Sequence, residues 1–369
     1  MSQLRVLHVV TSLEPGGMEN GICNLARGLR TRGIYTDVAC LEGSGAFAKR
    51  LSAESRIHLL GKQRGFSLRA TFVLWRTIRR TSPDVVHTHN LGPLIYGSLA
   101  TFAGRTRPLL QGEHSQLAEW ELSSRRLKQR KRFYRACSAV HTVSIQQRDE
   151  LLRLGFEPEK IIAIPNGVDT AVFVPSDRIA ARMMMGLPSD GTVVGLIGRF
   201  APHKGHAVLL EAFARLGESH PEIILVFIGT GGSNEANVAD LAASHRYRDR
   251  IRLAGFQSNP ARCYPAFDLL VVPSTNEGMS NVVLEAMACE VPVLANTRRG
   301  NEAIIDHGRN GWLANLATPE ALSAALASVL ARPEALVDTG RAARATVASR
   351  FSLVAMLDAY EQVYRKLKR

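Results

Sequence analysis

Long apolar runs are missing from this chain. No stretch reaches the roughly 18 uninterrupted apolar residues that a membrane-spanning helix requires, which excludes a helical integral membrane protein as a reading of the sequence. The opening MSQLRVLHVV turns polar at residues 11–14, too short an apolar run for a secretory signal, and none is expected. Paired cysteines are missing as well. The five present (Cys23, Cys40, Cys137, Cys263 and Cys289) are odd in number and show no CxxC spacing, so buried free thiols in a cytoplasmic protein are expected. His87 and His89 in "VVHTHN" stand without a carboxylate or thiolate cluster, and no metal site is expected from them.

Acidic residues are scarce in one half only. Residues 1–168 hold 25 Lys and Arg against 13 Asp and Glu, whereas residues 169–369 hold 21 against 20, so almost all of the net charge of +13 lies in the first half. Its densest run is "RRLKQRKRFYR", residues 125–135, with Arg125, Arg126, Lys128, Arg130, Lys131 and Arg132. This run reads either as a solvated helix face or as a patch that meets an anionic membrane surface or an anionic acceptor. A nucleic-acid-binding protein would interleave aromatic residues with such a run. Only Phe133 and Tyr134 stand there, and no nucleic-acid partner is expected.

What is present is an alternation of short apolar strands and amphipathic helices that runs through the chain twice. "RVLHVV", "TDVACL", "PDVVHTH", "PLLQGEH", "AVHTVS" and "IIAIP" read as strands in the first series, with helices in "MENGICNLARGLRTRG", "ATFVLWRTIRRT", "LIYGSLATFAG" and the basic run. The second series has strands in "VVGLIGR", "EIILVFIG", "IRLAGF", "DLLVVPS" and "VPVLANT", with helices between them and a helical tail. Strands that pass into helices through short loops imply right-handed βαβ units and parallel sheets. The chain is therefore read as α/β, with two doubly wound, Rossmann-like domains. Their boundary lies at 168/169, and the helix at about 353–369 returns to the first. Ligands of such sheets bind beyond the carboxyl ends of the strands.

Four segments carry candidate chemistry. Gly16 and Gly17 stand between a strand and a helix, where a backbone can approach an anion at the helix N-terminus; a plain tight turn is the alternative. In "GRFAPHKG", Arg199 and Lys204 project from the end of a strand, a fork and a point charge suited to a diphosphate. The alternative there is two surface cations, and no Walker A loop is present. In "TNEGMSNVVLEAMA", Gly278 loosens a loop before a helix that Ser280 or Asn281 would cap. Glu285, inside that helix, suits a ribose diol, and Glu277 lies beside whatever the phosphate carries. Glu277 also reads as a glutamate favoured by the helix dipole. In "QGEHS", His114 follows a strand, as a ligand-facing residue or as a satisfied structural histidine.

Taken together, "SLEPGGMENGICNLARGL", "PDVVHTHN", "GEHS", "IPNGVD", "GRFAPHKG", "GTGG", "AGF" and "PSTNEGMSNVVLEAMACEVPVLA" resemble the retaining glycosyltransferases of family 4, over nearly the whole chain. The last segment carries that family's E-x7-E element. The resemblance implies the GT-B fold, in which two Rossmann-like domains face each other across a cleft, and similarity to bacterial enzymes of exopolysaccharide and cell-envelope glycan assembly. It implies that Gly16 and Gly17 border the donor phosphates and the acceptor. Arg199 and Lys204 would bind the diphosphate. Glu277 would contact the donor sugar, while Gly278, Met279, Ser280 and Asn281 meet the diphosphate and sugar through their backbone. Glu285 would bind the ribose, Phe256 the base pocket, and His114 the transferred sugar. Where His114 is followed by Ser115, relatives usually carry Asp.

The implied reaction is transfer from a nucleoside-diphosphate sugar, most commonly UDP-linked, to a glycan or lipid-linked acceptor. Arg199, Lys204 and the helix start would stabilise the departing diphosphate without a metal or other cofactor. No close pair of nucleophile and acid carboxylates is evident, so a front-face transfer with retention is expected. A non-catalytic nucleotide-sugar-binding protein on the same fold remains the alternative.

Overall fold

The computed structural model of the chain describes residues 3–51, 55–102 and 107–368. In chain order the first series comprises β1 (Leu4–Val10), α1 (Gly17–Arg30), β2 (Ile34–Cys40), β3 (Ile57–Leu59), α2 (Leu68–Thr81), β4 (Val85–His89), α3 (Leu91–Phe102), β5 (Leu109–Glu113), α4 (Ser124–Arg135), β6 (Ala139–Thr142), α5 (Ile145–Arg153) and β7 (Ile161–Ala163). The second comprises α6 (Arg178–Met184), β8 (Thr192–Ile197), α7 (His206–Leu216), β9 (Ile223–Ile228), α8 (Glu235–Ser244), β10 (Ile251–Leu253), β11 (Leu269–Val272), α9 (Asn281–Ala288), β12 (Val293–Asn296), α10 (Arg299–Glu302), β13 (Trp312–Ala314), α11 (Pro319–Leu330), α12 (Pro333–Arg350) and α13 (Leu353–Lys368). The helix expected to reach Gly104 is described to Phe102; Ala103 and Gly104 lie outside the described residues.

These elements form two compact units, Met1–Asn166 with Val354–Arg369, and Gly167–Leu353. The sheet of the first has the order β3-β2-β1-β4-β5-β6-β7, and that of the second β10-β9-β8-β11-β12-β13. Every strand pair in both is parallel. Each sheet thus reverses its winding once, between β1 and β4 in the first unit and between β8 and β11 in the second. Such a switch point opens a crevice at the carboxyl edge. The central strands are buried on both faces, which is why they read as near-continuous apolar runs with no alternation.

The helix ends follow local chemistry. The Ser67 side chain accepts a hydrogen bond from the Ala70 N–H at 3.1 Å to start α2, and Ser82, left-handed at φ 43°, ends it. Asp177 caps α6 through the amides of Ile179 and Ala180, and Thr318 with Pro319 starts α11. α13 packs on the first unit. Its Leu357 lies so close to α1 that a Cβ on Gly28 would come within 2.5 Å of it. Arg32 forms ion pairs with Asp358 at 2.5 Å and Glu361 at 3.1 Å. Among the described residues, no helix is long and apolar enough to cross a membrane. All five cysteines are buried free thiols.

Candidate functional site

The second unit places its candidate residues at the switch point. β8 runs into Gly198 and Arg199, then a single 3-10 turn (Pro202–Lys204) and α7. β11 runs into residues 273–280 and α9. The backbone ties the two loops together, the Thr275 N–H donating to the His203 carbonyl at 2.9 Å. Gly205, at φ +79°, permits the contact, because a Cβ there would meet Pro273 at 2.7 Å.

Across this junction Lys204 Nζ donates to Glu277 Oε1 at 2.5 Å, with both side chains mostly shielded from solvent. A charge-assisted bond of this kind is about twice as strong as a neutral one. It also ties Glu277 to a cation before any ligand arrives. Arg199, on the same loop, is exposed and has no ion pair or side-chain hydrogen bond among the described residues. A cation so placed is available to an incoming anion.

The "GTGG" turn supports this loop from behind. The Phe200 N–H donates to Gly231 O at 2.7 Å, and the Gly229 N–H to Gly255 O at 2.9 Å. Gly229, at φ +144°, passes so near Gly198 that a Cβ would lie 2.1 Å from its carbonyl oxygen. Phe256, next to Gly255, is exposed.

Ser280 occupies the N-cap of α9 without a side-chain cap bond, and the first i→i−4 bond is the Leu284 N–H to Ser280 O. A helix start of this kind carries backbone N–H groups that lack intrahelical acceptors, at the positive end of the helix dipole. Gly278, Met279 and Ser280 are buried, and a neighbouring backbone crowds the loop: a Cβ on Gly300 would lie 2.4 Å from the Glu277 carbonyl oxygen. Gly300 and the His203 carbonyl are part of this site, and no spacing in the sequence points to them.

Glu285 is half-buried, and its Oε2 accepts from the hydroxyl of Tyr264 at 2.6 Å. Burial, with Glu285 alongside, pushes the Tyr264 hydroxyl well above the usual tyrosine range, so it remains a donor at neutral pH. Tyr264 was not evident from sequence, since it lies in a separate 3-10 turn, 21 residues before Glu285. Tyr264→Phe is expected to weaken nucleoside-diphosphate binding about tenfold, the order of one hydrogen bond to a charged group. Isothermal titration checks this, and unchanged affinity would remove Tyr264 from the site.

In the first unit, β1 leads to Gly16 and Gly17, with α1 starting at Gly17. Gly16 is extended (φ −167°), a conformation open to any residue, so the chain does not need a glycine there to turn. His114 follows β5. Its backbone N–H donates to Asn90 Oδ1 at 3.3 Å, and Asn90 itself sits at φ 65° after β4. Gly112 makes the placement possible, since a Cβ there would lie 2.5 Å from the His141 ring and 2.8 Å from the His114 ring.

His114 belongs to a cluster of five histidines. His8 Nδ1 and His89 Nε2 are 2.9 Å apart, His89 Nδ1 and His114 Nε2 2.8 Å, and His87 Nε2 and His141 Nε2 2.9 Å. Tyr364 reaches His87 Nδ1 at 2.8 Å. Burial lowers the pKa of all five: His8 to about 3, His114 to about 4, and His87, His89 and His141 well below the usual histidine value. One ring nitrogen from each of His8, His87 and His89 lies within 4.8 Å of the others. Of the six nitrogens of these rings, five already form hydrogen bonds, leaving His8 Nε2.

The basic run is corrected at one position. α4 exposes Arg125, Arg126, Lys128 and Arg132, and Lys131 is half-buried, stacked 5.4 Å from the Phe156 ring. Arg130 is 2% exposed and does not belong to the surface patch. Its guanidinium pairs with Glu113 at 2.8 Å and with Glu121, and Tyr134 also donates to Glu113. A buried cation without partners would be prohibitively costly, and these two carboxylates are what allow Arg130 inside.

Two parallel, doubly wound sheets of this topology are those of the GT-B fold class. Residues 15–172 match the family described as Glycosyltransferase Family 4, and residues 177–346 match Glycosyl transferases group 1. The chain belongs to the family 4-like glycosyltransferases of GT-B fold. A D-inositol 3-phosphate glycosyltransferase of Segniliparus rotundus is 36% identical over 214 residues, 57% of this chain and 47% of that protein. One from Geodermatophilus obscurus is 31% identical over 275 residues, 71% of this chain and 57% of that protein. The chain spans about half the length of the curated relatives it matches. HepE of Anabaena, solved with UDP and glucose, superposes with a TM-score of 0.85 at 23% identity, over 99% of this chain and 100% of that one. Sucrose-phosphate synthase of Thermosynechococcus elongatus gives 0.83 at 21%, over 99% of each. These two structural likenesses show the fold.

Proposed function

We propose that this protein is a retaining glycosyltransferase that moves a hexosyl group from a UDP-sugar to a glycan or lipid-linked acceptor in polysaccharide or cell-envelope assembly. The observation that carries the reading is the Lys204–Glu277 pair at the switch point of the second sheet, with unpaired Arg199 on the same loop. As the bond from the anomeric carbon to the diphosphate oxygen lengthens, negative charge grows on that oxygen. Lys204, Arg199 and the start of α9 stabilise it. The acceptor hydroxyl forms the new bond from the same face and passes its proton to the departing phosphate. Glu277, held by Lys204, orients the sugar hydroxyls and is not the nucleophile. Glu285 with Tyr264 takes the ribose. HepE, at the same fold, is known with UDP-glucose bound, which supports the donor class. Two cations, Lys204 held in place and Arg199 on the same loop, make a metal unnecessary in this reading.

A membrane-side acceptor is favoured by the surface of the first unit. α4 exposes five basic side chains, Arg125, Arg126, Lys128, Arg132 and Arg135, and Arg126 stacks 4.7 Å over exposed Trp120. Phe66, Leu68 and Phe72 are exposed at the start of α2, with Arg69, Arg76, Arg79 and Arg80 also exposed, and residues 57–83 contain no acidic residue. Apolar side chains among cations suit an anionic bilayer surface. A soluble inositol phosphate is the second reading, favoured by the activity for which the D-inositol 3-phosphate glycosyltransferases are named.

One experiment separates these readings. The protein is given UDP-hexoses with chelator, and either inositol 3-phosphate or a lipid-linked glycan in anionic vesicles, and the product is examined by NMR. Retained anomeric configuration with the vesicle acceptor is expected. Product from inositol 3-phosphate alone favours the second reading. An inverted product, a glycosyl–Glu277 adduct in the mass spectrum or loss of activity with chelator contradicts the mechanism, and absence of both transfer and donor hydrolysis leaves a nucleotide-sugar-binding protein.

A further inference from the structure

We propose that His89, itself oriented by His8, is a positioning residue that holds the proton of His114 on Nδ1, making His114 a neutral hydrogen-bond donor to the transferred sugar. The inference rests on the proposed sugar transfer and on the role that the family resemblance implies for His114, contact with the transferred sugar. The three imidazoles form one chain, His8 Nδ1 to His89 Nε2 at 2.9 Å and His89 Nδ1 to His114 Nε2 at 2.8 Å. Each link holds one proton, and each neutral ring carries one proton to share. The chain therefore has only two arrangements, and one end dictates the other.

Pointing from His114 toward His8, the last proton would sit on His8 Nε2. That atom is fully buried with no partner among the described residues, so an N–H there would be an orphaned donor. Orphaned buried N–H groups are rarer and costlier than under-used acceptors. Pointing from His8 toward His114, the buried end is a bare lone pair, and the proton emerges at His114 Nδ1. That nitrogen makes no hydrogen bond among the described residues, and His114 is half-buried where His8 is fully buried. The second sense wins. Asn90 and Gly112 complete the arrangement, one fixing the His114 backbone and the other leaving space for its ring. His114 then acts on a hydroxyl as a donor, and it is not a general base.

Two-bond proton–nitrogen correlation spectra of the ligand-free, histidine-labelled protein test this without any substrate. His114 is expected to carry its proton on Nδ1. His89→Leu, which cuts the chain, is expected to give a mixture of tautomers and about a tenfold lower kcat with unchanged UDP affinity. His89→Asn, whose amide nitrogen can take the place of Nδ1, is expected to restore both. A proton on His114 Nε2 in the unaltered protein, or a His89→Leu spectrum still showing only the Nδ1 form, overturns the proposal. If the glycosyltransferase reading fails, UDP-sugar turnover is absent while the tautomer result stands.

Discussion

Lys204→Ala lowers turnover about a thousandfold, measured as UDP release at saturating donor. One preorganised donor aimed at a developing oxyanion is worth about 10²–10³ in rate, and Lys204 stands at the upper end because its removal does two things. It takes away the cation facing the departing diphosphate, and it leaves Glu277, with 14% of its side chain exposed, as an uncompensated carboxylate close to that diphosphate. Lys204→Arg recovers only part of the loss, since a planar fork does not reproduce a point charge at 2.5 Å from one oxygen. Arg199→Ala is milder, about a hundredfold, with unchanged stability, because Arg199 is exposed and unpaired. A Lys204→Ala protein that keeps a tenth of normal turnover would move the charge stabilisation elsewhere.

The first unit loses about 5 kcal/mol of stability as the pH falls from about 6.5 to 5.5. His8, His87, His89, His114 and His141 all have folded pKa values below the ordinary 6.5, first through burial. Below 6.5 the unfolded chain takes up protons that the folded unit refuses until about pH 4 at His114 and about pH 3 at His8. Stability is therefore complete above about 6.5 and falls as the pH drops through this window. Each histidine forfeits on the order of 1 kcal/mol by pH 5.5, and the five together about 5 kcal/mol. A domain has about 5–15 kcal/mol in total. Urea unfolding of a Trp312→Phe variant reports on this unit alone, since Trp75 and Trp120 belong to it and Trp312 to the other. The expected result is a midpoint that is flat above about pH 6.5 and falls steeply below it, with about five protons taken up on unfolding. A midpoint that does not move would mean that the cluster is already charged or open to water.

The alternation of strand and helix was legible because parallel strands buried on both faces read as apolar runs. Two short edge strands and the longest helix, α12, escaped. β3 and β13, of three residues each, carry too few side chains to show a period. α12 mixes charged with small residues and packs on α9, and its Gly340 lies where a Cβ would come 2.2 Å from the Glu290 carbonyl oxygen. The basic run did hold a signal for Arg130, since Leu127, Arg130 and Tyr134 share one helix face by their three- and four-residue spacing. Reading the run as uniform charge concealed it.

By itself the sequence determined the fold class and the segments that carry the chemistry: an Arg–Lys loop, an E-x7-E turn and helix, and a histidine after a strand. Those features are local, set by residue type and spacing within about 20 positions. Only the tertiary structure decided the partnerships. Lys204 and Glu277 are 73 residues apart, Tyr264 and Glu285 21, and His8 and His89 81. Parallel β-pairing brings such distant positions side by side, and what a side chain does depends on the neighbours this supplies. The same lysine or histidine is a solvated surface group or a buried, proton-ordered one according to contacts that no local pattern encodes.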